Sequence, residues 1–323
     1  MVEDKFKLDK NDKKILMALE ENSRYSNKTI ARITSLNEHV VAYRIKRMFD
    51  SGLVKKICCV IGRGSIYPVG YRIFLRFQNI SAEKEKELIN RGVKNKFVCY
   101  IGGVVGHWDM LISIFVSDPK QFMEEYNKIV LGFEDFIQEK EIVNYLEIVD
   151  FNRTYLHGAE PNEMLEYDGK FKDTKLDDVD KKLLSQLADN SRQTLIELSN
   201  KTNVSPDTVK NRISRLEKEK VILGHAIFFD YEKLGINYYV VLLNLRNVME
   251  KREKEFRNFC LQHKNITYWI KTIGSYDLNI EIESTEKEMH EIISKIREKF
   301  GDIIKNIEIL NANKAYKYSY FKD

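Results

Sequence analysis

Basic, amide and hydroxyl side chains are gathered on one face of the stretch 205–216. That face carries Asp207, Lys210, Asn211, Arg212, Ser214 and Arg215. Side chains of these types contact base edges and phosphates when a helix enters the DNA major groove. Taken alone, the pattern is more often simply a solvated helix face.

The surrounding residues explain how such a face would be positioned. Ser205 is a good N-cap, and Pro206 stands at the first helical position, where a missing N–H does no harm. Val209, Ile213 and Leu216 follow at i, i+4 and i+7, so the other face is apolar. Two further helical patterns, 179–190 and 194–202, precede this one. Three short helices, with a tight turn between the second and the third, predict a helix-turn-helix.

The same unit occurs twice in the chain. Leu8 to Leu16 matches Leu176 to Leu184 at an offset of 168, and Asn22-Ser23-Arg24 matches Asn190-Ser191-Arg192 at the same offset. The first copy places different residues on the corresponding face: His39, Ala42, Tyr43, Arg44, Lys46 and Arg47. Unlike faces predict an asymmetric DNA site, or one copy that no longer reads bases. Tyr43 has a second interpretation, as a packed residue.

A strand and helix pattern follows each helix-turn-helix. Its order, β-α-β-β-α-β, predicts a ferredoxin-like sandwich. We match the opening glycines Gly70 and Gly235, at an offset of 165. The fold class is therefore α+β, a tandem repeat of two domains. The predicted limits are 1–62 and 176–230 for the winged helix-turn-helix domains, 63–152 and 231–323 for the ferredoxin-like domains, and 153–175 for a linker.

These residues resemble the Lrp/AsnC family of transcription regulators. The resemblance rests on 176–180, Leu183-Leu184, Asn190-Ser191-Arg192, Leu198 and 205–216 in the second copy. It implies a winged helix-turn-helix followed by a RAM-type sensing domain, and hence double-stranded DNA as the partner. Gly52 fits the family's helix-ending glycine, whereas Lys220 stands at that place in the second copy. A left-handed Lys220 would cost about 1 kcal/mol or more.

The resemblance also implies a small-molecule effector, usually an amino acid, near a Gly-x-Tyr-Asp turn where two sensing domains meet. The candidate residues are Gly106, His107, Trp108 and Asp109 in the first copy, and Gly274, Ser275, Tyr276 and Asp277 in the second. The first copy has Trp108 where the pattern has tyrosine. Because the two turns carry different side chains, two pockets at these places would be dissimilar. A tight Gly and Asp hairpin is the alternative interpretation, and we prefer it for the first copy.

Composition sets further limits. The net charge of +4 is modest, so the position of the basic residues matters more than their sum. Four cysteines without paired spacing are interpreted as buried reduced thiols. No apolar run is long enough for a membrane span and no secretory signal is present, so we expect a cytoplasmic protein. No cofactor or metal motif occurs. The sensing domains would pair within one chain as a pseudo-dimer, or between chains of a homo-oligomer.

Two other functions fit a tandem of this fold. One is an enzyme like the sirohaem decarboxylases, which would call for basic and histidine residues around the sheet. The six histidines never fall at equivalent places in the two copies, so we predict no enzyme. The other is an assembly module with little DNA contact, which a weak salt dependence of DNA binding would indicate.

Overall fold

The structure is a computed structural model that describes residues 5–170, 174–246 and 249–322. The predicted domain limits at 1 and 323, and residues 171–173 of the predicted linker, lie outside these ranges. The first copy contains α1 Lys10–Glu21, α2 Asn27–Thr34, α3 Glu38–Asp50, β1 Val54–Ile61, β2 Val69–Phe77, α4 Ala82–Lys94, β3 Val98–Val105, β4 Met110–Val116, α5 Pro119–Val130 and β5 Ile137–Phe151. Then come α6 Thr154–His157 and β6 Glu163–Tyr167.

The second copy repeats this order. It contains α7 Asp178–Asp189, α8 Leu195–Thr202, α9 Pro206–Lys218, β7 Ile222–Phe229, α10 Tyr231–Leu234, β8 Asn237–Leu245, α11 Glu250–Gln262, β9 Ile266–Ile273, β10 Leu278–Ser284, α12 Glu286–Phe300 and β11 Ile304–Tyr318. Helices α1 to α3 and α7 to α9 are the two predicted helix-turn-helix units, and each is followed by the predicted β-α-β-β-α-β order. The tandem α+β fold is thus confirmed.

The strand after each helix-turn-helix pairs with its counterpart from the other copy. Strands β1 and β7 form an antiparallel two-stranded sheet, called here the wing sheet, in which Ile57 lies opposite Ile227. The sequence predicted a wing within each copy, but each copy supplies only one strand. The apolar faces explain why, since Ile227 and Phe229 are buried in the core of the first helix-turn-helix, and Cys58 to Ile61 in the core of the second. Each helix-turn-helix unit thus packs on a strand from the other copy.

The two ferredoxin-like units join edge to edge within the chain. Strand β3 pairs with β11, and β9 pairs with β5. Because β5 also pairs with β2, eight strands close into a ring in the order β2-β4-β3-β11-β8-β10-β9-β5, with β6 added outside on β5. Helices α4 and α5 cover one half of the outer surface, and α11 and α12 cover the other half. Aromatic and aliphatic side chains fill the interior, including Phe74, Trp108, Leu242 and Leu310.

The strand register corrects one match made from the sequence. Asp109 donates its backbone N–H to Leu75 O, and Asp277 donates to Leu243 O, so the offset between the copies is still 168 in these strands. Gly70 therefore corresponds to Tyr238, not to Gly235. The two glycines have different roles. A Cβ on Gly70 would lie 2.4 Å from the Phe115 ring, while Gly235 ends α10 with a φ of +74°.

The segment 153–175 was predicted to be a linker, but much of it is held in place. Strand β6 pairs with the end of β5, and Glu166 and Tyr167 are buried. Arg153 Nε lies 3.0 Å from Glu283 Oε2, and the Tyr155 hydroxyl donates to the same oxygen at 2.6 Å. Arg153 is thus paired with a carboxylate that only the folded chain brings near.

Candidate nucleic-acid interface

Helices α3 and α9 each have a capped start and one buried face. Asn37 accepts a hydrogen bond from His39 N at 2.9 Å, and Ser205 accepts from Thr208 N at 3.2 Å. The buried residues are Val41, Ile45 and Met48 in α3 and Val209, Ile213 and Leu216 in α9. Burial of these stripes fixes which side of each helix remains exposed.

Most of the residues predicted to contact bases lie on the exposed sides. These are His39, Tyr43 and Lys46 in α3, and Asp207, Lys210, Asn211 and Ser214 in α9; Ala42 is half-buried. Tyr43 is 66% exposed, which rules out its interpretation as a packed residue. Lys46 is paired with Asp50 at 2.6 Å, but both side chains are largely exposed, so water screens this pair.

Four predicted DNA-contacting arginines have acidic partners instead. Arg44 Nη1 lies 2.7 Å from Asp9 Oδ2 and 2.9 Å from Asp12 Oδ1, and Arg47 Nη2 lies 2.6 Å from Asp12 Oδ2. Asp12 is fully buried. The backbone N–H of Asp12 and the Arg44 guanidinium lower the pKa of Asp9 to about 2. Arg44 and Arg47 therefore tie α3 to the start of α1.

The second copy has the same arrangement. Arg212 Nη1 lies 2.8 Å from Asp177 Oδ2 and 2.7 Å from Asp180 Oδ1, and Arg215 also pairs with Asp180. Asp12 and Asp180 also have a local role, since each completes a capping box at the start of α1 or α7. Their pairing with the arginines depends on a helix crossing that the spacing of residues does not reveal.

A reciprocal contact holds the two helix-turn-helix units together. Arg24 Nη1 donates to Ser191 O at 2.7 Å, and Arg192 Nη1 donates to Ser23 O at 2.8 Å. The hydroxyls of Ser23 and Ser191 are 2.6 Å apart, and His225 Nδ1 lies 2.8 Å from Ser23 Oγ. Burial, with a smaller contribution from Arg24, lowers the pKa of His225 to about 4. The sequence identified the repeated Asn-Ser-Arg motif but gave no reason for it.

The two predicted effector turns meet at the junction of the ferredoxin-like units. Trp108 and Tyr276 are buried, and Trp108 Nε1 donates to the Tyr276 hydroxyl at 2.9 Å. Gly106 has a φ of +156° and Gly274 one of +136°. A Cβ on Gly106 would lie 2.5 Å from Leu310 Cδ2 in the other unit. Both glycines therefore permit a close approach between the copies.

The remaining turn side chains also have partners. Asp109 Oδ2 accepts from Phe77 N at 2.7 Å, and Asp277 Oδ2 accepts from Leu245 N at 2.7 Å. His107 Nε2 lies 3.1 Å from Glu139 Oε2, and Ser275 donates to Glu141. The two turns thus meet at the junction. Trp108, Tyr276 and Ser275 make contacts across it, whereas His107, Asp109 and Asp277 are bonded within their own unit.

Other groups that could perform chemistry are few. All four cysteines are free and buried, and burial raises the pKa of Cys58 to about 12. The described ranges contain no group of three or more potential metal ligands. In the same ranges no helix is both long and apolar enough to cross a bilayer.

Known proteins support a DNA-binding class. Residues 176–222 match the model described as "Winged helix-turn-helix DNA-binding", and residues 8–48 match the "AsnC-type helix-turn-helix domain". Two Pyrococcus furiosus proteins, named as uncharacterized HTH-type transcriptional regulators PF1734 and PF0054, are 34% identical over 104 residues and 31% identical over 136 residues. The matches cover 32% and 41% of this chain, and 69% and 84% of those proteins.

These matches establish the class, a helix-turn-helix regulator. The chain belongs to the Lrp/AsnC family. A solved structure, that of the siroheme decarboxylase NirDL, aligns with 97% of this chain and 94% of its own, with a TM-score of 0.62 and 12% identity. At that identity the likeness concerns the fold alone. Because nearly the whole of both chains aligns, NirDL has a similar tandem fold.

Proposed function

We propose that a single chain binds double-stranded DNA as a built-in dimer and regulates transcription, with α3 and α9 as its two recognition helices. The observation that carries this proposal is the reciprocal Arg24 and Arg192 contact. It relates the two helix-turn-helix units as the subunits of a homodimer are related, so each chain presents a pair of recognition helices.

The DNA site should be asymmetric. The exposed faces of α3 and α9 differ at equivalent positions, 168 residues apart: Tyr43 in α3 corresponds to Asn211 in α9, and Lys46 corresponds to Ser214. An amide such as Asn211 recognises adenine through two hydrogen bonds, whereas Tyr43 offers a ring and one hydroxyl. Two half-sites of different sequence, centred about one helical turn apart, are therefore expected.

Affinity should come from several weak phosphate contacts. Arg44, Arg47, Arg212 and Arg215 already pair with the carboxylates of Asp9, Asp12, Asp177 and Asp180. Exposed lysines such as Lys46 and Lys210 therefore remain for the DNA phosphates. Counterion release then makes binding strongly dependent on salt. We further propose that a small molecule modulates this binding by favouring one arrangement of the DNA-binding units.

A decarboxylase function has less support. Haem-like substrates would call for histidine near the binding cavity. Among the described residues, no histidine lines the cavity beside Arg72 and Tyr100 within the ferredoxin-like ring, or the cavity between that ring and Phe228 of the wing sheet. The NirDL likeness is one of fold, and the regulator relatives are closer in sequence.

Selection of binding sites from random duplexes tests the proposal. The full chain should enrich one asymmetric sequence and bind it with a log–log salt slope steeper than about −3. Matched variants Asn211→Ala and Tyr43→Ala change one recognition helix each. Equal weak binding to all duplexes, with a shallow salt slope, would contradict the regulator and favour an assembly module.

A further inference from the structure

Two adjoining cavities lie at the end of the strand ring that faces the wing sheet. The inner cavity, of about 40 Å³, lies within the ring, and the outer cavity, of about 290 Å³, lies between the ring and the wing sheet. Tyr100, Tyr238, Tyr268 and Tyr318 line both cavities. Only tyrosine side chains therefore separate them, and the outer volume approaches that of a small-molecule site.

The inner cavity contains buried donors without partners. Arg72 Nε donates to the Tyr145 hydroxyl at 2.7 Å and Nη2 to Glu281 Oε1 at 3.1 Å, but Nη1 has no partner among the described residues. The hydroxyl of Tyr100, which is 8% exposed, also lacks one there. Folded proteins seldom leave such groups unpaired, because each keeps its desolvation cost. Both donors line the inner cavity, so an acceptor placed there would satisfy them.

Basic side chains outnumber carboxyl groups in the lining of the two cavities. Two basic side chains line the inner cavity and four line the outer one: Arg63, Arg72, Lys55, Lys56, Arg153 and Lys317. Three carboxyl groups, those of Asp150, Glu166 and Glu281, belong to the same linings. Three of the basic groups have acidic partners outside the linings: Lys55 pairs with Asp230, Lys56 with Asp189 and Arg153 with Glu283. The unpaired Nη1 of Arg72 is therefore the donor that an anion would meet. Glu281 is already occupied by Arg72 and by the Tyr238 hydroxyl. Burial, followed by the nearby Glu166, raises the pKa of Asp150, which removes part of the negative charge.

The walls of the outer cavity suit a flat apolar body. Phe228 projects from the wing sheet and lies 4.4 Å, centroid to centroid, from Tyr318 of the ring. Tyr231 and Tyr238 stack at 5.1 Å on the same lining. The rings of each pair already touch, so a ligand ring would lie against their cavity-facing sides, through offset and edge contacts of the same kind.

We propose that the two cavities form one binding site for a small aromatic carboxylate. The carboxylate accepts hydrogen bonds from Arg72 Nη1 and the Tyr100 hydroxyl in the inner cavity, and the ring lies among Phe228, Tyr238 and Tyr318 in the outer one. The site is separate from the Gly106 and Gly274 turns. Since Lys55, Lys56 and Phe228 belong to the wing sheet, the ligand contacts both the DNA-binding part and the ring. Its regulatory effect, unlike its binding, rests on the proposed function.

Calorimetry on the full chain tests the site without DNA. The probes are indole-3-acetate, 4-hydroxyphenylacetate and phenylpyruvate, each compared with its uncharged amide or, for phenylpyruvate, its methyl ester. At least one acid should bind with a Kd below about 1 mM, and its uncharged analogue at least tenfold more weakly, roughly the effect of a charge-assisted hydrogen bond. Failure of all three acids, or equal binding of the uncharged analogues, overturns the proposal.

A matched pair of variants locates the site. Tyr100→Phe removes only an unpartnered hydroxyl, so the protein should keep its stability while its affinity for the acid falls roughly tenfold. Ser275→Ala changes an effector turn and should leave the affinity unchanged. The opposite result places the ligand at the turns and overturns the proposal, as does binding of a uroporphyrin probe in preference to the acids.

DNA binding with and without the acid separates this inference from the proposed function. The acid should change the affinity for the selected duplex about fivefold or more in the wild type, and much less in Tyr100→Phe. Binding of the acid by a protein that selects no DNA sequence would contradict the proposed function and leave the site in place. Selective DNA binding that ignores a bound acid would overturn the regulatory role of the site.

Discussion

Ser23 Oγ and Ser191 Oγ lie 2.6 Å apart, although 168 residues separate them in the chain. Trp108 and Tyr276, separated by the same 168 residues, are hydrogen-bonded at 2.9 Å in the ferredoxin-like part. Two contacts between equivalent positions, one in each type of domain, place a single pseudo-two-fold axis through the whole molecule. An axis of this kind makes the chain equivalent to a homodimer whose halves have diverged.

Replacing Arg24 or Arg192 by Ala should loosen the pairing of the helix-turn-helix units. Each guanidinium donates to two backbone carbonyls of the other copy, so each variant should lose about 1–3 kcal/mol of unfolding free energy. Urea denaturation measures the loss. The exposed Arg32 provides a control of the same type, and a loss no larger than that of Arg32→Ala would show that the contact does not stabilise the pair.

His225 should make stability depend on pH below neutrality. Its pKa falls from the usual 6.5 to about 4 in the folded chain, because burial disfavours the charged ring. Above pH 6.5 both states are neutral. Between pH 6.5 and 4 the unfolded chain takes up a proton that the folded chain does not, so stability falls by up to about 1.4 kcal/mol per pH unit.

His225→Asn should remove that part of the pH dependence. Unfolding free energies at pH 7 and pH 5 would then differ less in the variant than in the wild type, while carboxylate titration below pH 5 stays in both. Equal differences in the two proteins would mean that His225 takes up its proton without hindrance in the folded state.

Lys220 is a strained position that glycine would relieve. Its φ is +58°, and the equivalent residue, Gly52, has a φ of +71°. Lys220→Gly should therefore raise the unfolding free energy by about 1 kcal/mol, and Gly52→Ala should lower it by about as much. Thermal and urea unfolding of the two variants provide the comparison. A destabilised Lys220→Gly would indicate that the lysine side chain contributes more than its backbone costs.

The bond between Trp108 and Tyr276 should appear as a coupling energy. In a double-mutant cycle of Trp108→Phe and Tyr276→Phe, we expect an interaction of about 1 kcal/mol. Tyr276→Phe leaves the buried Trp108 N–H unpaired, whereas in Trp108→Phe the Tyr276 hydroxyl still donates to Glu308. Tyr145→Phe with Trp108→Phe serves as a control, since the hydrogen bonds of Tyr145 are to Arg72 and Ser113 and that of Trp108 is to Tyr276. Additive losses in the first cycle would show that the bond contributes nothing to the junction.

The repeat and both domain types could be predicted from the sequence, because each rests on local signals. Helix caps, apolar spacing at 3.6 residues and runs of β-branched residues act within a few positions of the chain. Ser205 caps its helix as expected, and the left-handed Lys220 follows from its place after α9. Tyr43 lacked such a signal, and its exposure had to be read from the fold.

What the sequence missed are contacts between the copies. The pairing of β1 with β7, and the closure of the ring through β5 and β11, join strands whose apolar patterns fit several partners equally well. The acidic partners of Arg44 and Arg212 lie 35 residues away, beyond the reach of spacing rules. Matching Gly70 to Gly235 failed for a similar reason, because residue type was used where only strand register distinguishes the two roles.

The central claim is that one chain reads DNA with two unequal recognition helices. Base-interference mapping on the selected duplex, with wild type, Tyr43→Ala and Asn211→Ala, tests it most directly. The account predicts that each variant loses contacts in only one half-site, that the two half-sites differ, and that discrimination at the affected base falls by about 1–3 kcal/mol. Loss of the same contacts by both variants, or no loss by either, would contradict it.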